Sequence, residues 1–160
     1  MVLWGAFNIT LISDFRNKRD ITLLKFFENK YISYSGNDEH SSIFQHMPAL
    51  IIEKTDSTQQ LCGYTCKHAY IYSKESKNER HEIFYTNSIG NKNPNFNNPY
   101  KTLDGVMLQF HLQLGNISME LIADNISNEE TPDKEFAING TYQPTTTENM
   151  NKLIDKILEN

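Results

Sequence analysis

Apolar and polar residues exchange places at every second position through the first two thirds of this chain, and only near its end does the spacing become helical. Phe7, Ile9 and Leu11 alternate with Asn8 and Thr10, and Tyr64, Cys66, His68, Tyr70 and Tyr72 with Thr65, Lys67, Ala69 and Ile71. Val106, Leu108, Phe110, Leu112 and Leu114 alternate in the same way with Met107, Gln109, His111 and Gln113. A period of two sends successive side chains to opposite faces of a strand, so this pattern demands sheet with one face turned inward. Strands are expected over 4–13, 21–27, 30–35, 49–53, 63–73, 81–87, 103–114 and 117–123. Glu28-Asn29 and Gly115-Asn116 read as tight hairpin turns.

The C-terminal segment has a different period. Thr145 and Glu148 have the spacing of a capping box, in which side chains satisfy orphan helix N–H groups. Met150, Leu153, Ile154, Ile157 and Leu158 then share one helical face, predicting a helix over 146–158. A helix this short does not hold together alone in water. It must lie on the sheet, with Leu153 and Ile157 buried. The expected fold is therefore mainly antiparallel β (α+β), with the helix packed on a curved sheet or half-barrel of about seven to nine strands. With 160 residues, 38% hydrophobic content, nine Phe and eight Tyr, one domain over 1–160 can build its own core.

Composition excludes several classes of function. The net charge is −5, and Arg16, Lys18 and Arg19 form the one basic cluster, in a turn between two strands. A nucleic-acid footprint needs clustered cations, and none is expected here. No run approaches the roughly 18 apolar residues of a membrane helix. Residues 1–5 are too short for a signal peptide. The chain is thus expected to be either cytoplasmic or the mature form of an exported protein.

Cys62, Cys66 and His68 form the sharpest local constellation. A metal site wants three or four such ligands, and nothing in the spacing of Glu53, His81 or His111 supplies the rest. On a strand, Cys66 and His68 share a face about 7 Å apart, which fits a half-buried structural stripe. A Cys62–Cys66 bridge would have to close about 13 Å of extended chain to the roughly 7 Å a disulfide tolerates, so two free thiols are expected. Cys66 as nucleophile would need His68 as base and an orienting partner behind it, and no such partner is evident. Tyr64, Tyr70 and Tyr72 read as cross-strand packing, with the wall of an apolar groove as the functional alternative. No catalytic residue, metal or cofactor is expected.

The residues 61–69, Leu-Cys-Gly-Tyr-Thr-Cys-Lys-His-Ala, then 83–86, Ile-Phe-Tyr-Thr, then 103–108, Leu-Asp-Gly-Val-Met-Leu, follow an order and spacing that resemble the GLPGLI family and its neighbouring domain of unknown function. Residues 102–107 correspond to the name-giving segment, with Asp104 in place of Pro, and Phe84 stands where Trp is usual. Residues 136–142 look like the family's closing segment, and the likeness spans about 51–142. The resemblance implies an extracytoplasmic protein of a Gram-negative periplasm or cell envelope. It also implies a fold similar to lipoprotein-carrier half-barrels, in which a sheet wraps a helix and can enclose an apolar cavity. It brings no catalytic residues.

Three functions follow as expectations. The first is a binding or carrier module for an apolar small molecule, lipid or peptide. The second is a structural or interaction domain of the envelope with a filled core. The third is an enzyme using Cys66 or His68. Any ligand site is expected beneath the long loop 88–101, which joins two well-alternating strands. Tyr85, Phe96, Tyr100 and Met107 are the candidate contacts, because loops on rigid sheets commonly carry binding.

Overall fold

The computed structural model describes residues 7–36, 39–90 and 93–159. The part of the first expected strand before Phe7, and Asn91 and Lys92 of the long loop, lie outside the described residues. The fold is mainly antiparallel β with one C-terminal helix, as the alternation requires. Among the described residues nine strands form two sheets, of four and five strands, rather than one, and neither closes into a barrel. The chain divides into two compact units, Met1–Gln45 with Asn128–Asn160, and His46–Ser127.

The first unit holds β1 (Phe7–Asp14), β2 (Arg19–Phe26) and β3 (Asn29–Ser35) as an antiparallel meander. The β2–β3 turn falls on Phe27 and Glu28, one residue earlier than expected, because Phe26 pairs with Asn29. Phe27 takes the positive φ of 50° that the turn demands and is 58% exposed. Along β2 both faces are buried from Asp20 to Leu24. One face packs Ile21, Leu23 and Ile32 with Ile12 and Tyr142. The other carries Leu24, which is wholly buried.

The helix α1 (Thr147–Leu158) packs against β3 and against the 3-10 turn Ser42–Phe44. Before it, Gln143–Pro144 forms a short strand, β9, parallel to β3, and Thr145 N–H donates to the Ile32 carbonyl at 2.8 Å. That bond holds Thr145 to the sheet, so the N-cap falls on Thr146, whose hydroxyl accepts from Asn149 N–H at 3.2 Å. The expected Thr145–Glu148 capping box is displaced by one residue, and Glu148 instead pairs with Lys152 one turn on, at 2.6 Å. Met150, Ile154 and Leu158 form the buried stripe of α1. Leu153 and Ile157, expected in the core, are half-buried at its flank. The apolar face is wider than the sheet can cover, and the interface takes the 150–154–158 row.

The second unit is a five-stranded antiparallel sheet in chain order: β4 (Leu50–Leu61), β5 (Tyr64–Ser73), β6 (His81–Thr86), β7 (Val106–Leu114) and β8 (Ile117–Ile122). Cys62 and Gly63, both at positive φ, make the two-residue β4–β5 turn. Gly115-Asn116 joins β7 to β8 as expected. Gly105 lies where β7 begins, and a Cβ there would stand 2.7 Å from the Thr86 carbonyl oxygen and 2.9 Å from the Tyr85 ring. Backbone oxygen cannot give way as a flexible side chain can. Gly105→Ala is therefore expected to cost about 1–3 kcal/mol in chemical denaturation, as overpacked sites do, and an unchanged midpoint would sink this account.

Candidate functional site

Cys66 and His68 sit on β5 among side chains that hold them as structure. Cys66 is 0% exposed and packs with Phe84 and Leu108. Its Sγ faces the Tyr64 carbonyl at 3.7 Å, and burial pushes its thiol above the usual pKa. A nucleophile needs the thiolate, which this environment disfavours. His68 is 5% exposed. Its Nδ1 bonds the Thr55 hydroxyl at 2.9 Å, its Nε2 lies 3.6 Å from a Glu82 carboxylate oxygen, and its ring packs on Tyr70 and Phe84. Cys62 and Cys66 are both free thiols. Of the tyrosine stripe, Tyr70 and Tyr72 lie beneath the Arg80 guanidinium, at 5.4 and 4.8 Å from their ring centres. Arg80 is in turn held by Glu53 at 2.6 Å. These two rings pack under Arg80 as a cation–π layer, and Tyr72 also lines a groove of the same unit.

Four contacts were expected around loop 88–101. Tyr85 and Tyr100 are fully buried, while Phe96 and Met107 are half-buried. The described part of the loop is folded onto its own unit. Asn95, buried, donates its amide to the carbonyls of Leu103 and Gly105 at 3.1 and 3.0 Å. Tyr100 donates its hydroxyl to the His111 carbonyl and sets its ring edge-on to Phe110 at 6.1 Å. Burial raises the Tyr100 phenol well above its ordinary range, keeping it a neutral donor. The loop is long because its residues do the work of core.

Cavities open elsewhere. In the first unit a cavity of about 260 Å³ lies between α1 and the sheet, lined by Phe7, Phe26, Asn29, Tyr31, Leu153, Lys156 and Ile157. The strand register explains the lining. Phe7 pairs with Phe26, Phe26 with Asn29, and Leu24 with Tyr31, so all project from one face. In the second unit a groove of about 490 Å³ runs over Met47, Pro48, Leu50 and Ile71 to a polar side carrying Glu79, His81, His111 and Ser118. His81 and His111 are stacked there, ring centres 3.7 Å apart and planes within 9°. The sequence gives no sign of this pair, since thirty residues separate the two and they meet only because β6 and β7 are neighbours, beyond the last paired residues Phe84 and Gln109. Among the described residues no three His, Cys, Asp or Glu side chains surround one point as metal ligands, and no helix is long and apolar enough to cross a membrane.

Comparison with protein-family models, with curated proteins and with solved structures gives no match.

Proposed function

We propose that this protein is a non-enzymatic binding or carrier module that takes a short apolar ligand between the C-terminal helix and the four-stranded sheet. The observation that carries the reading is the cavity beside α1, where Phe7, Phe26, Tyr31, Leu153 and Ile157 offer apolar surface and Asn29 and Lys156 offer polar groups. Ligand sites are typically concave and mostly apolar with a few convergent polar groups. At about 260 Å³ the cavity sits just below the ~300–1,000 Å³ usual for small-molecule sites, so the occupant is small, a medium-length acyl chain or the side chains of an apolar peptide. An envelope location and kinship with the GLPGLI family belong to the same proposal, and the order of the 61–69, 83–86 and 103–108 segments supports them.

The second reading, a structural or interaction domain of the envelope, is favoured by exposed apolar side chains, Phe15, Phe27 and Phe136 among them. One titration separates the two. A fluorescent medium-chain fatty acid is expected to bind saturably, and Leu153→Trp, which fills the cavity from the helix side, is expected to weaken it at least about tenfold, or 1.4 kcal/mol. Phe27→Ser is expected to leave binding unchanged. Absence of saturable binding, or binding indifferent to a folded Leu153→Trp variant, would discard the carrier reading and leave the interaction domain.

A further inference from the structure

The groove on the five-stranded sheet is larger than the cavity beside α1, and the carrier reading does not use it. Its two halves follow from the strand register. Leu50 pairs with Ser73, Ile71 with His81, His111 with Glu120 and Gln113 with Ser118. Cross-strand partners leave a sheet on the same face, as do residues two apart on one strand. One face therefore carries Leu50 and Ile71 on β4 and β5, and His81, His111, Gln113 and Ser118 on β6 to β8. Met47 and Pro48, just before β4, extend the apolar half. At about 490 Å³ the groove falls within the ~300–1,000 Å³ usual for small-molecule sites. We infer that it is a second binding site, for a small organic cation with an ammonium group on an alkyl or arylalkyl body.

The polar half selects the head group. No Lys or Arg lines the groove, and Glu79 is its one carboxylate. Among the described residues no cation stands within ion-pair distance of that carboxylate. The connection that carries it is fastened, with Ser76 N–H donating to the Ser73 hydroxyl at 2.9 Å and Glu79 N–H to the Ser76 carbonyl at 3.1 Å. His111 is engaged, its Nε2 lying 2.8 Å from the Ser118 hydroxyl. His81 stacks on His111 and has no hydrogen-bond partner among the described residues, and an imidazole in its neutral form keeps one nitrogen as acceptor. Gln113 commits its amide N–H to the Gly115 carbonyl at 2.6 Å, which leaves its side-chain oxygen to accept. An ammonium brings three donors and no acceptor. It matches a wall of carboxylate, amide oxygen and imidazole nitrogen, whereas a carboxylate ligand would meet Glu79 as like charge.

The surrounding charge has the same sign. An adjoining depression is lined by Glu82 and Glu120 together with Arg80. Arg80 is already tied to Glu53 at 2.6 Å and stacked on Tyr70 and Tyr72, so its charge is spent there. Burial, and then the neighbouring His81, hold His111 below the ordinary histidine pKa, with Glu120 opposing them. That ring is accordingly neutral near pH 7. Acidification adds positive charge to the imidazole wall and occupies the acceptor nitrogen. Proton and ligand thus compete, and the cation is released as the pH falls. The site lies wholly on the second unit, apart from the cavity beside α1 and from Cys66 and His68.

The test titrates 2-phenylethylammonium chloride into the full chain at pH 7.5 and follows backbone amide chemical shifts. One saturable site is expected, with the shifts centred on Ile71, His81 and Gln113. 2-Phenylethanol has the same body without the charge and is expected to bind at least about fivefold more weakly; 3-phenylpropionate is expected not to bind. Glu79→Gln, in an exposed connection where the fold is not at stake, is expected to weaken the ammonium about fivefold, the scale of one accessible ion pair. Ser76→Trp fills the groove from the same connection and is expected to abolish binding. Lowering the pH to 5.5 is expected to weaken it at least about threefold. Phe27→Ser is expected to change nothing. No saturable shift, an alcohol or carboxylate probe that binds as tightly, or an affinity unmoved by Glu79→Gln would each overturn the inference. Saturable shifts centred on Phe26, Tyr31 and Leu153 would also overturn it, while leaving the carrier cavity standing.

Discussion

Tyr100→Ala is expected to destabilise the second unit by about 3–5 kcal/mol, the range for removing a buried aromatic ring, measured by urea denaturation at constant m. The side chain is 0% exposed, and its hydroxyl serves the His111 carbonyl of β7, which lies beyond the last β6 partner of that strand. Tyr100→Phe keeps the ring and removes only the donor, so a smaller loss of about 1–3 kcal/mol is expected, the cost of one unsatisfied buried group. The order of the two variants is the informative part. A lid over a ligand site would give up little stability when Tyr100 is cut back, because lids are drawn from the least stable parts of a fold. A loss below about 0.5 kcal/mol for Tyr100→Ala, the scale of an ordinary surface change, would restore loop 88–101 as a candidate binding element.

What was legible in the sequence was whatever a buried face imposes at close range. β1, β3, β5, β7 and β8 alternate because one side of each packs and the other meets a different environment, and each was readable within a few residues. The far half of β4 was not. Residues 54–60 are polar and mostly exposed, and β4 is an edge strand with a register shift between Lys54 and Thr58. An edge exposed on both faces has no reason to alternate, and Thr55 in the irregular stretch is turned instead to His68. The division of the strands into two sheets escaped for a different reason. Alternation says that a strand has an inside, but not which other strands share it.

The candidate sites follow the same rule. Asn95 and Tyr100 looked like loop residues because composition marks Asn and Pro as irregular, yet a buried Asn with two carbonyl acceptors is as much core as a leucine. Phe7, Phe26 and Tyr31 carry the same inward pattern whether they meet packed side chains or a cavity, and only the seating of the helix decides which. His81 and His111 come together beyond the last paired residues of β6 and β7, Phe84 and Gln109, and the register of that pair shifts between Phe84 and Tyr85. Counting along either strand could not have found them.

The seating of the helix supplies the other large effect. Ile154→Ala is expected to cost about 2–5 kcal/mol, and Leu153→Ala only about 0.5–1.5 kcal/mol, as for a partly exposed position. Ile154 is 1% exposed and lies in the buried row with Met150 and Leu158, while Leu153 is half-buried and faces the cavity with Ile157. Alanine is the strongest helix former, so neither change weakens α1 itself and the difference between them reports packing alone. The sequence by itself would rank the two alike or favour Leu153, since both fall on the apolar face; the row that the sheet covers reverses that. The pair also bears on function, because Leu153→Ala enlarges the lining without touching the core and should alter acyl-probe affinity in a chain that still melts near its usual temperature. Equal losses for the two variants would mean that α1 is rotated toward Leu153 in solution, with the cavity beside it closed.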